Sequence, residues 1–164
     1  MTDILKTCAH LPVATFAPGE VLLTEGDAAG PLYILIEGKV EVSKNGARIA
    51  RISGEGTLFG EMSGLLGLPI SATVTAVEAV RAYRSDDPDA FIAESPEMAR
   101  HTARLLAARL HAATTYIADL KVQFAGETGH LGMMDKMLDA MLEGQVGTLG
   151  LQDAPPRKGS DARL

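Results

Sequence analysis

The chain has 164 residues, which is enough for one domain with a hydrophobic core. Apolar residues make up 46% of the sequence and aromatic residues only 4%, so we expect an aliphatic core. The net charge of −6 disfavours a nucleic-acid partner, because proteins that bind nucleic acids typically carry a basic surface.

The N-terminal segment lacks the pattern of a signal peptide, because Asp3, Lys6 and His10 interrupt any apolar stretch. No apolar run approaches the ~18 residues that a membrane span requires, so we expect a cytoplasmic protein with no membrane partner. Cys8 is the single cysteine, which excludes an intramolecular disulfide and a cysteine-based metal site.

The first 85 residues predict short β-strands separated by glycine turns. Asn45-Gly46 predicts a two-residue hairpin turn, since both residues tolerate positive φ. Short strands with frequent glycine turns are typical of an all-β sandwich or barrel. The predicted strands cover residues 21–24, 32–36, 40–43, 47–52, 71–77 and 80–84.

Beyond residue 85 the composition favours helices. Asp86-Asp87-Pro88 and Ser95-Pro96-Glu97 both have a capping residue followed by proline, the pattern of a helix start. No glycine or further proline follows until after Phe124, so a long helix is expected there, ended by Gly126 and Gly129.

The long helix carries small or apolar residues spaced alternately four and three apart over about four heptads, the pattern of a coiled coil. The alternative is a single amphipathic helix lying on its own β domain. A period of 3.5 residues favours pairing with another helix, so we predict a homodimer through residues 99–124. The positions concerned are Ala99, Ala103, Leu106, Leu110, Ala113, Ile117, Leu120 and Phe124.

The chain therefore divides into three predicted segments. Residues 10–125 are expected to form the β domain with its long helix. Residues 126–144 are expected to contain a short Met-rich helix over 133–142, whose apolar stripe is typical of core or interface filler. Residues 145–164 are rich in glycine, then in proline and charge, and are expected to be disordered.

One segment between strands, residues 58–74, carries the candidate site. It predicts a glycine turn, a short helix opened by Gly60, a second turn and a new strand. The free N–H groups at the helix start could hold an anion. Glu61, in the first turn, could cap the helix electrostatically or accept hydrogen bonds from the hydroxyls of a ligand.

Three groups of residues in this order resemble the cyclic-nucleotide-binding domain family, the β-roll of bacterial Crp/Fnr regulators, protein-kinase-A regulatory subunits and gated channels. The resemblance covers about residues 10–125. It implies a mainly β fold, a double-stranded β-helix (jelly-roll-like β-roll) followed by C-terminal helices with a long dimerisation helix. The matching residues are Pro18-Gly19-Glu20 with Glu25-Gly26-Asp27, then Leu32 to Val42, then Phe59-Gly60-Glu61 with Pro69 and Ser71-Ala72-Thr73.

The resemblance also implies roles for single residues. Glu61 would accept a hydrogen bond from the ribose 2′-hydroxyl of a cyclic nucleotide, and backbone N–H groups at Gly60, Ser71 and Ala72 would hold the cyclic phosphate. The long helix would close over the base, where Thr114 is a candidate polar contact. The candidate ligand-binding residues are Gly60, Glu61, Met62, Ser71, Ala72, Thr73 and Thr114.

The sequence departs from the family pattern at Ile70, where the family has a phosphate-binding arginine after the proline. Isoleucine offers neither a charge nor a donor. Losing a charge-assisted hydrogen bond costs ~1.5–3 kcal/mol, roughly ten- to a hundredfold in affinity. Arg51, Arg81 or Arg84 could supply another cation.

Four functions compete. The first is a regulatory sensor of a cyclic nucleotide, and the second a degenerate β-roll that serves as a dimerisation or protein-interaction scaffold. A Crp/Fnr-type transcription factor would need a helix-turn-helix, for which the 40 residues after Phe124 leave too little room. A metal-dependent jelly-roll enzyme would need clustered ligands, whereas the four histidines are scattered. We therefore expect no catalytic residue, no metal and no cofactor.

Overall fold

The structure is a computed structural model that describes residues 3–124 and Lys136. The chain divides into two compact units, residues 1–108 and residues 109–164. The first unit contains both β-sheets. The elements in chain order are α1 (Asp3–Thr7), β1 (Val13–Phe16), β2 (Val21–Leu23), β3 (Leu32–Glu37), β4 (Val40–Lys44), β5 (Ala47–Ile52), β6 (Leu58–Phe59), α2 (Glu61–Leu66), β7 (Thr73–Ala76), β8 (Val80–Ser85), α3 (Pro88–Glu94) and α4 (Pro96–Phe124).

The strands form two four-stranded antiparallel sheets. The first sheet has the order β1-β8-β3-β6 and the second the order β2-β7-β4-β5. Neighbouring strands in each sheet are mostly distant in sequence, as in a jelly roll. The predicted fold class, a β-roll followed by a long helix, is confirmed.

The first sheet is covered on both faces, which explains the continuous apolar run in β3. Tyr33 and Leu35 face the space between the sheets, whereas Leu32 and Ile34 face the helices. The inner cluster consists of Leu22, Leu23, Tyr33, Leu35, Val40, Phe59, Ile70, Val74, Ala76, Val80 and Ala82. The outer cluster consists of Ile4, Leu5, Cys8, Leu32, Ile34, Leu58, Tyr83, Phe91, Ile92 and Met98.

The predicted turn and helix starts are confirmed. Asn45 and Gly46 both have positive φ, 50° and 75°, as the hairpin between β4 and β5 requires. The Asp87 carboxylate caps α3 by accepting from the Ala90 N–H at 3.1 Å. Ser95 accepts from the backbone N–H of Met98 at 3.2 Å and so caps α4.

The first turns of α4 are tied to the rest of the first unit. Thr7 donates to the Glu97 carboxylate at 3.0 Å, which joins α1 to α4. The His101 Nε2 lies 2.7 Å from the Gly56 carbonyl oxygen in the turn before β6. The start of α4 is therefore held by one contact with α1 and one with the β-roll.

Several predictions fall outside the described residues. They are the helix end at Gly126 and Gly129, the Met-rich helix over 133–142 apart from Lys136, and the tail over 145–164. Within residues 3–124, no helix combines the length and the apolarity needed to cross a membrane.

Candidate functional site

The segment from Gly60 to Thr73, here called the cassette, begins with a left-handed glycine. Gly60 has φ 91° and ψ −3°, and a Cβ at this position would collide with the Pro31 carbonyl oxygen. Only glycine fits here without strain. The helix α2 then starts at Glu61, as the sequence predicted.

Glu61 is buried, with only 2% of its surface exposed. Burial of a carboxylate is costly unless hydrogen bonds or a partner charge compensate it. Ser63, two residues further on, is also buried and donates to the Gly60 carbonyl at 3.2 Å. The two buried side chains of α2 are therefore both polar, and the family resemblance places the ribose at Glu61.

The outward face of α2 is apolar and exposed. Met62, Leu65 and Leu66 have 45%, 38% and 47% of their surface exposed, and Leu68, beyond the end of α2, is similarly exposed. The inward side of the same helix packs closely, since a Cβ on Gly64 would lie 2.5 Å from the Pro88 Cβ. The helices α2 and α3 are therefore in direct contact at Gly64 and Pro88.

The second half of the cassette is anchored to the loop that follows β2. The Gly26 N–H donates to the Ile70 carbonyl, and the Ile70 N–H donates to the Asp27 carbonyl, both at 2.9 Å. The Thr73 hydroxyl accepts from the backbone N–H of Glu25 at 3.0 Å. The residues of the Glu25-Gly26-Asp27 motif thus position the strand that carries Ser71 to Thr73.

Ile70 belongs to the inner cluster and is 5% exposed. A Cβ built on Gly30 would lie 3.8 Å from the Cδ1 of Ile70 and 3.9 Å from one methyl group of Leu23. A Cβ built on Gly60 would lie 3.4 Å from the other methyl group of Leu23. Leu23 and Ile70 belong to the same buried cluster, so the position of the family's arginine is filled with hydrocarbon.

The three arginines considered as replacement cations all make ion pairs on the surface. Arg51 and Arg81 pair across strands with Glu41 and Glu37, each at 2.9 Å. The Arg84 Nε lies 2.8 Å from the Asp86 carboxylate, and this hydrogen bond raises the pKa of Arg84. The acid partners of these three guanidinium groups all lie outside the cassette.

Lys44, which the sequence reasoning missed, lies beside the cassette. Its ammonium donates to the Ser71 carbonyl at 2.6 Å and lies 3.5 Å from the Glu25 carboxylate. The pairing of Ser43 with Thr73 between β4 and β7 brings the end of β4 to this point. The Asn45-Gly46 turn showed where β4 ends, but the partner strand could not be inferred from the sequence.

Thr114 lies in α4, in the second compact unit. Its hydroxyl lies 2.9 Å from the Leu110 carbonyl and 3.0 Å from the His111 carbonyl, so it bonds to its own helix. Its contact with a ligand base stays a prediction.

A groove of about 320 Å³ lies between α1 and α4, and no predicted site residue lines it. Among the described residues, no group of three or more histidines, cysteines or carboxylates is close enough to hold a metal ion. The cassette therefore remains the candidate site.

The geometry defines a β-roll with a glycine-opened helix that carries a buried glutamate in its first turn. Residues 13–91 match the family model of the cyclic nucleotide-binding domain. Residues 13–91 belong to this family.

The similar proteins include a transcriptional regulator and a protein kinase. A CRP-like cAMP-activated global transcriptional regulator of Mycobacterium tuberculosis is 34% identical over 118 residues, which cover 68% of this chain and 52% of the relative. A cGMP-dependent protein kinase of Toxoplasma gondii is 47% identical over 68 residues, which cover 42% of this chain and 7% of the kinase. The chain thus spans about half, or much less, of these relatives.

The solved structure of the Thermus thermophilus catabolite activator protein has the same fold. Its TM-score is 0.58 at 28% sequence identity, and the match covers 76% of this chain and 65% of the other.

Proposed function

We propose that the chain is a regulatory sensor module that binds a cyclic nucleotide, of the cAMP or cGMP class, in its β-roll and signals through α4. The observation that carries the proposal is the buried Glu61 directly after the left-handed Gly60. The names of the similar proteins, one cAMP-activated and one cGMP-dependent, support this ligand class.

In the proposed complex each part of the cassette has one task. Glu61 accepts a hydrogen bond from the ribose hydroxyl. A hydrogen bond to a charged acceptor is stronger than a hydrogen bond to a neutral acceptor. The backbone N–H groups of Gly60, Ser71 and Ala72 hold the cyclic phosphate. Met62 and Thr73 border the site on either side.

A path for the signal runs through packed contacts of the first unit. Gly64 in α2 packs on Pro88 in α3, so a shift of α2 on ligand binding moves α3. α3 ends at Glu94, and α4 begins two residues later at Pro96. A ligand that favours one position of α2 thereby favours one position of the start of α4.

The test is calorimetric titration of the full chain with cyclic AMP and with cyclic GMP. We expect the native protein to bind at least one of them, and Glu61→Gln to bind it about ten- to a hundredfold more weakly. Glu55→Gln, an equal change of charge at an exposed position in the turn before β6, is the control and should bind like the native protein. Absence of binding by the native protein would contradict the proposal.

The burial of Ile70 favours a second candidate, a β-roll that binds no nucleotide and serves as a scaffold for dimerisation or protein interaction. The two candidates differ in one result. A scaffold would bind cyclic nucleotide only after Ile70→Arg, whereas the sensor binds it in the native form.

We also propose a homodimer through residues 99–124. The predicted heptad positions Ala99, Ala103 and Ala113 are exposed, and Leu110 has 55% of its surface exposed. An apolar stripe of this kind on a long helix is favourable when a second helix covers it. Light scattering across a concentration series tests the proposal, and a monomer throughout would contradict it.

A further inference from the structure

The ammonium of Lys44 has the contacts of a group placed to hold an anion at the cassette. A lysine ammonium has three N–H donors. One reaches the Ser71 carbonyl at 2.6 Å, and a second faces the Glu25 carboxylate at 3.5 Å. These contacts account for two donors and leave the third for a ligand.

The neighbouring Glu25 holds this arrangement in place. Its backbone N–H donates to the Thr73 hydroxyl at 3.0 Å, and its carboxylate accepts from the Asn45 N–H at 2.8 Å. Glu25 is therefore fixed to both β7 and the β4–β5 turn. Lys44, held by Glu25 and by Ser71, has its charge directed to the start of β7.

The position of Lys44 matters because Ser71 follows Ile70 directly in the chain. The interior side of this point is filled by the Ile70 side chain, which has no charge. The rim side carries Lys44, with 49% of its side chain exposed. A cation is therefore present one residue from the position where the family has its arginine, but it comes from another strand.

We propose that Lys44 is the cation that binds the phosphate of the cyclic nucleotide in this protein. The inference rests on the proposed function, since it concerns the same site. Lysine acts as a compact point charge, whereas arginine forms two parallel hydrogen bonds to a phosphate. A half-exposed lysine is also screened by salt more strongly than a buried arginine, so binding to the native protein depends on ionic strength.

The test compares Lys44→Gln with Lys39→Gln in titrations with cyclic AMP and cyclic GMP. Lys39 is a matched control, because it is similarly exposed and pairs weakly with Glu78 at 4.0 Å. Lys39 lies just before β4 and Lys44 at its end. At the usual rise per residue of a strand, the two lysine Cα atoms are about 16 Å apart. Both variants remove one positive charge from the chain.

We expect Lys44→Gln to weaken binding about tenfold or more and Lys39→Gln to leave it within about twofold. Raising the salt concentration from about 50 to about 200 mM should weaken binding to the native protein, because salt in this range screens exposed charges. The affinity of Lys44→Gln should decrease less over the same range. Adding Ile70→Arg to Lys44→Gln should restore binding. Thermal unfolding without ligand shows that each variant is folded.

The outcomes separate the two proposals. If the native protein binds a cyclic nucleotide and Lys44→Gln binds it equally well, the role of Lys44 is overturned and the sensor function stands. If the native protein binds neither nucleotide, the proposed function fails, and the role of Lys44 fails with it.

Discussion

The inner and outer clusters pack against opposite faces of the same sheet, yet only one of them adjoins the site. The inner cluster includes Ile70 and Phe59, which are chain neighbours of Ser71 and Gly60 in the cassette. The outer cluster joins the sheet to α1, α3 and the start of α4 and contains no predicted ligand-binding residue. We infer that the ligand acts on the inner cluster directly and on the outer cluster only through α3 and the start of α4, so that changes in the outer cluster affect the ligand affinity less.

The largest expected effect is that of Met98→Ala in the outer cluster. Met98 has no exposed surface, so its truncation leaves a cavity and should lower the free energy of unfolding by about 2–5 kcal/mol. Denaturant unfolding measures the loss, and calorimetric titration should give the same cyclic-nucleotide affinity as for the native protein. A change in affinity of more than about threefold, or roughly 0.6 kcal/mol, would contradict the inference that the outer cluster has less effect on ligand binding than the inner cluster.

A somewhat smaller effect is expected from Ile70→Arg in the inner cluster. A guanidinium at this buried position should lower the free energy of unfolding by about 2 kcal/mol without ligand, since the long side chain can partly reach solvent. Excess cyclic AMP should restore the stability by pairing with the charge. Ile49→Arg is the control, because Ile49 is 61% exposed in β5 and should tolerate the change. If Ile70→Arg lowers the free energy of unfolding equally with and without cyclic AMP, a ligand site beside the inner cluster is contradicted.

The smallest expected effect is a pH dependence in the outer cluster. Burial raises the pKa of the Cys8 thiol from 9.0 to about 11. The unfolded chain therefore releases this proton first, and the stability that the buried thiol contributes is lost as the pH rises from 9 towards 11. At pH 10 the loss should be about 1 kcal/mol relative to pH 8.

Urea unfolding of the native protein and of Cys8→Ala at both pH values isolates the contribution of Cys8. The difference in unfolding free energy between the two proteins should shrink by that amount at pH 10, with or without cyclic AMP. A difference that stays constant with pH would show that the thiol does not titrate in this range.

The fold could be predicted where local chemistry determines it. Alternation and the Asn45-Gly46 turn identified β4 and β5, and capping residues with proline identified α3 and α4. The elements α1, β1 and β6 were missed, because segments of two to five residues carry too little periodic signal.

The site could be predicted only where it is contiguous in sequence. The family motif identified Gly60, Glu61 and the Ser71 to Thr73 run. The contact between Lys44 and Ser71 depends on the pairing of β4 with β7, in which Ser43 lies opposite Thr73, thirty residues further along the chain. Long-range pairing of this kind leaves no local pattern in the sequence.

The measurement that tests the account most directly is thermal unfolding of the native full chain with and without excess cyclic AMP or cyclic GMP. A ligand at about a hundred times its Kd adds ~2.7 kcal/mol to the stability and raises the unfolding midpoint by several degrees. The account predicts this shift for the native protein with at least one nucleotide. No shift for the native protein, together with a shift for Ile70→Arg, would contradict it and favour the scaffold.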